Sequence, residues 1–264
     1  MKIGFIGAGN MGSALASAAS KSEGAELYVS DVNKEKAAAL AESLSAKATD
    51  NEEIAKICDY IFLAVKPKFV SEVLSEIGTI LEGRDNFTVV SMAAGVNLSS
   101  LNAMLKKEAR IIRIMPNTPV AVGKGIILTA GNSLVTESEL LGFKRLLAAA
   151  GDVEFTDENL IDAGTALSGC SPAFVYSFIE ALEEGAVKAG LSRSKAREYA
   201  AKTLIGASTL LLESKKEPKE LREAVCSPGG STIEGVKVLE AGGLHELVMG
   251  AVEASFKRTQ ELGK

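Results

Sequence analysis

Residues 2–13 constrain this chain more than any other stretch. Lys2-Ile3-Gly4-Phe5-Ile6 reads as a short buried strand. Gly7-Ala8-Gly9-Asn10-Met11-Gly12 follows without a break, and an Ala-rich helical stretch begins at Ser13. Strand, G-x-G-x-x-G, helix is the order in which a backbone builds a pocket for a pyrophosphate. Gly7 permits the tight turn, Gly9 keeps a Cβ out of the path of the phosphates, and Gly12 lets the helix pack close to the strand. The first N–H groups of the helix and the positive end of its dipole then face the anion. Glycines also mark ordinary turns; the strand directly before and the helix directly after favour the phosphate pocket.

The chain has 264 residues, a comfortable length for two domains. Up to residue 156, short apolar runs alternate with helical stretches. Strands are expected at 3–6, 26–30, 60–63, 88–91, 110–114, 126–129 and 153–155. Helical stretches at 34–44, 70–77 and 137–148 lie among them. That alternation implies βαβ units and a largely parallel sheet. From residue 157 the alternation stops, and helical periods fill 172–189, 193–212, 231–240 and 244–261. The expected architecture is therefore α/β. A Rossmann-type dinucleotide-binding domain (1–156) precedes an all-helical substrate and dimerisation domain (157–264). The stretch Thr203–Leu212 is apolar or small all round, which means burial on several sides. Two readings follow: a central core helix, or a helix interlocked with a second chain.

Composition removes several function classes. The net charge is -5, so no basic surplus exists for a nucleic acid or an acidic membrane surface. No apolar run is long enough to span a bilayer. Cys58, Cys170 and Cys226 are odd in number and lack C-x-x-C spacing, which argues against a disulfide framework or a zinc site. The cytoplasm is the expected location, with no metal. The only histidine, His245, lies too near the end of the sequence to resemble the acid of a lactate-type dehydrogenase.

Asp31 follows the second expected strand, where an acidic residue bonds the ribose hydroxyls of a dinucleotide. A carboxylate there repels a 2′-phosphate and leans the cofactor toward NADH. A cap for the helix from Asn33 is the structural alternative. Ala64-Val65-Lys66-Pro67 leaves the strand 60–63 at its ligand-facing end. Met115-Pro116-Asn117-Thr118-Pro119 is a stiff loop that presents an amide, suited to a nicotinamide carboxamide or simply to joining strands. Ser168-Gly169-Cys170-Ser171-Pro172 and Ser227-Pro228-Gly229-Gly230-Ser231-Thr232 each put small residues before a helix. Helix N-termini of that kind suit a carboxylate.

Together these segments resemble the pyrroline-5-carboxylate reductases along essentially the full chain. The matching motifs are GFIGAGNMGSAL (4–15), FLAVKP (62–67), SMAAGV (91–96), RIMPNTPV (113–120), LIDAGTALSGCSPAF (160–174) and SPGGSTIEGVKVLE (227–240), with VEASFKRTQEL (252–262) near the end. The resemblance implies reduction of the imine of pyrroline-5-carboxylate to L-proline with NAD(P)H, the last step of proline biosynthesis. By position it implies that Gly7, Ala8, Gly9, Asn10, Met11 and Gly12 hold the pyrophosphate. Asn51, Ala64, Val65, Lys66 and Pro67 would line the adenosine side, and Asn117 the nicotinamide side. Main-chain N–H groups of Gly230, Ser231 and Thr232 would bind the substrate carboxylate, with the Thr232 hydroxyl beside the imine nitrogen. Glu158, Ser168 and Val225 are further substrate-side candidates. It also implies a homodimer with shared active sites, commonly assembled into decamers.

Two departures from the family pattern stand out. Ser171 replaces the second glycine of Ser-Gly-Ser-Gly-Pro, and Asp31-Val32 replaces the Ser or Asn with Arg that many members direct at a 2′-phosphate. A 3-hydroxyacid-dehydrogenase-like enzyme and a non-catalytic nucleotide-sensing dimer are the competing readings. The former wants a Lys–Asn pair, and one turn after Lys188 stands Ser192.

Overall fold

A computed structural model describes residues 1–262. The strands are β1 (Lys2–Ile6), β2 (Glu26–Ser30), β3 (Lys47–Ala48), β4 (Tyr60–Leu63), β5 (Thr88–Ser91), β6 (Arg110–Pro116), β7 (Gly125–Gly131) and β8 (Gly151–Phe155). The helices of the first part are α1 (Asn10–Ala19), α2 (Lys34–Ser43), α3 (Asn51–Ile57), α4 (Val70–Glu82), α5 (Leu98–Met104), α6 (Glu137–Leu146) and α7 (Glu158–Gly164). Then come α8 (Ser171–Lys188), α9 (Arg193–Ser214), α10 (Pro218–Ala224), α11 (Ser231–Ala241) and α12 (Leu244–Leu262).

Among the described residues the strands form one sheet in the order β3-β2-β1-β4-β5-β6-β7-β8. Pairing is parallel from β3 to β6, antiparallel between β6 and β7, and parallel again from β7 to β8. The chain moves outward from β1 to β3, then crosses back to lay β4 on the other side of β1. That reversal opens a crevice at the carboxyl ends of β1 and β4, the place where doubly wound sheets bind ligands.

Strand side chains alternate between two cores, as a period of two requires. Ile3, Phe5, Phe62, Val90 and Ile112 pack with Leu15 of α1 and Phe143 of α6. Ile6, Ile61, Leu63, Val89 and Ile111 pack on the other face with Ile54, Leu74, Ile77 and Leu101 of α3, α4 and α5. Phe5 and Phe62 stack with ring centroids 4.4 Å apart, joining neighbouring strands. The helices α3 and α5 span seven residues each, too short to show a period in the sequence. The side chains of Asp50 and Asn97 cap them by accepting from the N–H of Glu53 and Ser100.

Two compact units divide the described residues: 1–170 with 255–262, and 171–254. The last strand ends at Phe155 and α7 begins at Glu158, while the compact units part between residues 170 and 171. Ile161 of α7 is fully buried in the sheet's core, and Ala166 is buried too, so the first helix after the last strand belongs to the sheet unit. The last two residues of the expected 157–264 domain lie outside the described ones.

The second unit buries little of itself. Within 171–254 the buried residues are Glu183, Ala196 and Ala200. Glu183 accepts from Arg193 Nη1 and Arg197 Nε, both at 2.6 Å, and so clips α8 to α9. Those hydrogen bonds, the Arg197 one foremost, hold its carboxyl below the usual carboxylate range. Tyr176, Ile205, Leu212, Val238, Leu247 and Met249 lie open. The reading of Thr203–Leu212 as a core helix of a single chain is therefore not what the structure shows. Ile205 is 67% and Leu212 78% exposed, so their apolar surface awaits cover from outside this unit.

Candidate nucleotide and substrate sites

The glycine loop is built by close approach. Gly7 has φ +112°, and a Cβ on it would lie 2.5 Å from the Ala64 carbonyl oxygen. A Cβ on Gly12 would meet the Gly7 carbonyl oxygen at 2.4 Å and the Ala64 Cβ at 2.8 Å. Ala64 thus wedges β4 against both glycines. Gly9 differs: its φ is -75°, and a Cβ there would find nothing within 4 Å. Neither backbone strain nor packing requires a glycine at 9. The free space above it is what a pyrophosphate would fill, so the residues present fit a dinucleotide.

The first intrahelical bond of α1 is Ser13 N–H to Gly9 O, 2.8 Å, and no side chain caps the helix. The N–H groups of Asn10, Met11 and Gly12 are therefore available to an anion. Gly9 and Asn10 are exposed, while Met11 packs beneath the loop.

Asp31 leaves β2 at the same edge. Its Oδ2 accepts from Ala8 N–H at 2.7 Å and its Oδ1 from Asn33 N–H at 2.8 Å. The cap of α2 is Asn33, which accepts from Lys36 N–H, so Asp31 is not the helix cap. Val32 projects fully into solvent. Asn51 opens α3 with its amide engaged: Oδ1 accepts from the Ser30 hydroxyl, and Nδ2 donates to Glu76 Oε2 at 2.7 Å. It braces the end of β2 rather than presenting a free amide. Ala64 and Val65 are half-buried, and Lys66 and Pro67 are exposed at the mouth of β4.

Asn117 is similarly engaged. Its Oδ1 accepts from Ile126 N–H at 2.9 Å, and its Nδ2 donates to Ser168 O at 3.1 Å. The amide fastens the turn between β6 and β7 to residue 168, leaving one N–H and one lone pair for a ligand.

The expectation for 168–172 needs correction. α8 starts there at Ser171, but the residue before it offers no open N–H group. The chain runs from α7 through one turn of π-helix, Thr165–Gly169, and Cys170 stays right-handed helical before α8. Cys170 N–H donates to Thr165 O, and the Ser168 hydroxyl turns back on Gly164 O at 2.8 Å. The Cys170 N–H is therefore unavailable to an anion.

Glu158 is no free carboxylate. Its Oε1 accepts from Leu98 N–H and lies 3.4 Å from Arg113 Nη1. Arg113 is 3% exposed and also bonds Asp162 Oδ1 through Nη2 at 2.7 Å. The sequence reading missed Arg113, although a charged residue inside the apolar run Arg110–Ile114 was a signal for it.

The 227–232 segment fits its expectation in part. Gly229 has φ +72°, and Gly230 is the N-cap of α11, with no side-chain cap. Gly230 N–H already donates to Ser227 O at 3.0 Å, so it is not available to a carboxylate. The open N–H groups are those of the first turn: Ser231, Thr232 and, missed by the sequence reading, Ile233. The Thr232 side chain is exposed beside them, as is Val225 at the end of α10.

Among the described residues no group of three or more His, Cys, Asp or Glu is placed to hold a metal. None of their helices is long and apolar enough to cross a membrane.

A doubly wound sheet with a bare glycine loop at its switch point, followed by a helical unit, defines a nicotinamide-dinucleotide oxidoreductase. Comparison with known proteins narrows this. Residues 158–262 match the family model for pyrroline-5-carboxylate reductase dimerisation, and residues 2–95 the model for NADP oxidoreductase, coenzyme F420-dependent. Pyrroline-5-carboxylate reductase 3 of Danio rerio is 42% identical, over 100% of this chain and 92% of its own length. The pyrroline-5-carboxylate reductase of Escherichia coli K12 is 39% identical, over 100% and 98%. The crystal structure of Plasmodium falciparum pyrroline carboxylate reductase with NADP bound superposes with a TM-score of 0.89 at 32% identity, covering 100% of this chain and 98% of that one. The chain belongs to the pyrroline-5-carboxylate reductase family.

Proposed function

We propose that this chain reduces pyrroline-5-carboxylate to L-proline with NAD(P)H, the closing step of proline biosynthesis. The observation that carries the proposal is the bare N-terminus of α11, where Ser231, Thr232 and Ile233 offer three N–H groups beside the exposed hydroxyls of Ser231 and Thr232. The substrate carboxylate takes the N–H groups and the helix dipole. The Thr232 hydroxyl donates a hydrogen bond to the ring nitrogen and holds the proton that nitrogen needs as the carbon is reduced. The nitrogen of the neutral imine takes that proton as hydride reaches the carbon, and solvent resupplies the exposed hydroxyl, so no histidine acid is required. The dinucleotide, when bound, supplies the hydride. Gly7 to Gly12 hold its pyrophosphate, Asp31 faces the ribose, and Ala64 to Pro67 line the crevice.

Asp31 favours NADH. Its carboxylate lies where a 2′-phosphate would approach, and the exposed Val32 beside it supplies no cation. Glu158, Ser168 and Val225 act at the substrate side by position, the first two through the contacts that fix their surroundings. The open apolar faces of α9, α11 and α12 support a homodimer whose helices interlock and whose active sites draw on both chains, with decamers built from such dimers. The cytoplasm suits a chain with three unpaired cysteines.

A steady-state assay with pyrroline-5-carboxylate and NADH or NADPH tests this. Oxidation of NADH with formation of L-proline is expected. A folded, dimeric sample without turnover on either cofactor sinks it and leaves the nucleotide-sensing reading. Turnover on 3-hydroxyacids alone would point to the dehydrogenase reading, for which Lys188 stands exposed at the end of α8 with no asparagine beside it.

A further inference from the structure

Arg113 sits in β6 opposite Ser91 of β5, at the carboxyl end of the sheet, and is 3% exposed. Its guanidinium grips two carboxylates one turn apart on α7, Glu158 and Asp162. Glu158 Oε1 in turn accepts the N–H of Leu98, where the loop 92–97 leaving β5 becomes α5. From α7 the chain enters the π-helical turn, and Ser168 O there receives Asn117 Nδ2 from the end of β6. One cation thus ties together the loops after β5 and β6 and the turn 165–169. Arg113 Nε, meanwhile, is buried without a partner. A buried ion cluster with an orphan donor is a poor way to gain stability, because an apolar side chain of similar volume avoids both the desolvation and the unmet hydrogen bond. Something other than stability is the better explanation for its presence.

We propose that Arg113 is a positioning residue. Through Glu158 and Asp162 it sets the loop 92–97, Asn117 and the turn 165–169 in the relative places that the nicotinamide half of the site needs. The assignment rests on the proposed function. In a doubly wound sheet the glycine loop and Asp31 serve the adenosine half, and the ends of β5 and β6 serve the other. Loss of the clamp therefore disturbs the reacting end while leaving the pyrophosphate grip intact.

The test uses the full-length protein with Arg113→Lys, which keeps the charge and loses the fork, and the pair Asp162→Asn and Asp162→Leu. Asparagine retains an acceptor for Nη2 and leucine does not. Three quantities are read: kcat, the dissociation constant for NADH from fluorescence titration, and amide exchange in the protein without cofactor. For Arg113→Lys and Asp162→Leu we expect kcat to fall about 10- to 100-fold, the effect of misplacing reacting groups by about an ångström, with NADH affinity within about threefold of the parent. Exchange should quicken at Leu98 and in 165–170 and stay slow in β1 and α1. Asp162→Asn should keep kcat within about threefold. Parent-like kcat in both Arg113→Lys and Asp162→Leu overturns the proposal. So does a matching loss of NADH affinity with faster exchange throughout the sheet, which is the behaviour of a residue that only supports folding. Absence of turnover in the parent protein would instead count against the proposed function; the exchange pattern and the NADH titration still decide whether Arg113 sets these loops.

Discussion

Asp31 Oδ2 receives the Ala8 N–H at 2.7 Å, so the residue proposed to face the ribose is bonded to the glycine loop. On that proposal, choice of cofactor and shape of the loop are coupled through a single carboxylate. Removing the charge should change both. Asp31→Ser is expected to raise the NADPH-to-NADH ratio of kcat/KM about tenfold or more, since it lifts the repulsion of a dianionic phosphate. Asp31→Ser with Val32→Arg should raise it further by supplying a cation. A parent enzyme that already prefers NADPH strongly would contradict the role given to Asp31.

Gly9 and Gly12 separate cofactor binding from folding. Gly12→Ala drives a Cβ into the Gly7 carbonyl and should cost about 1–3 kcal/mol of stability as overpacking. Gly9→Ala meets no protein atom within 4 Å and should stay within about 1 kcal/mol of the parent, the difference between glycine and alanine at an N-cap. NADH binding should nonetheless weaken about tenfold or more in Gly9→Ala, because the methyl enters the phosphate space. Thermal unfolding beside NADH titration checks the pair. Equal destabilisation by the two substitutions would refute it.

Thr232→Ala should lower kcat/KM for pyrroline-5-carboxylate about 10- to 1000-fold, the range of one lost hydroxyl contact or proton relay. Thr232→Ser should recover most of that loss, since it restores the hydroxyl and leaves the α11 backbone unchanged. The measurement is a substrate titration at saturating NADH. An unchanged rate in the alanine variant removes Thr232 from the mechanism.

Cys58 should be chemically silent. Burial pushes its thiol from the ordinary 9.0 up to about 12, against the opposing pull of Arg84. At pH 8 iodoacetamide should label the half-buried Cys170 and Cys226 well before Cys58. The raised thiol also has a stability consequence of definite sign. Below about pH 9 the thiol is neutral in both states and its contribution is complete; as pH climbs toward 12 the unfolded thiol ionises first and stability declines. Cys58→Ala should flatten that alkaline decline in unfolding curves.

Much of the scaffold was legible because its signals are local. The strands at 26–30, 60–63 and 88–91 are short apolar runs bounded by turns, and their limits coincide with β2, β4 and β5. Gly7 and Gly12 announced a loop because each answers a local geometric demand. What the sequence hid are side-chain commitments across long separations. Asn117 looked like a free amide because Ser168 lies far along the chain, and Glu158 looked like a free acid for want of Arg113 and Leu98. Gly230 looked like an N–H donor to a ligand, and only the Ser227 turn shows that its proton is spent. The 168–172 segment misled for a different reason. Small residues and a proline mark a helix start, yet the π-helical turn before it already uses the Cys170 N–H.

The sparsely buried helical unit has a consequence for how this protein comes into being. A chain emerging from the ribosome completes its sheet at Phe155 and can bury that part straight away. The residues made afterwards find little of their own to pack against, so the newborn protomer carries an adhesive face until it meets a sister chain. Assembly, rather than folding, is then the step expected to depend on concentration. At low abundance the cell would hold finished nucleotide-binding halves still waiting to become enzymes.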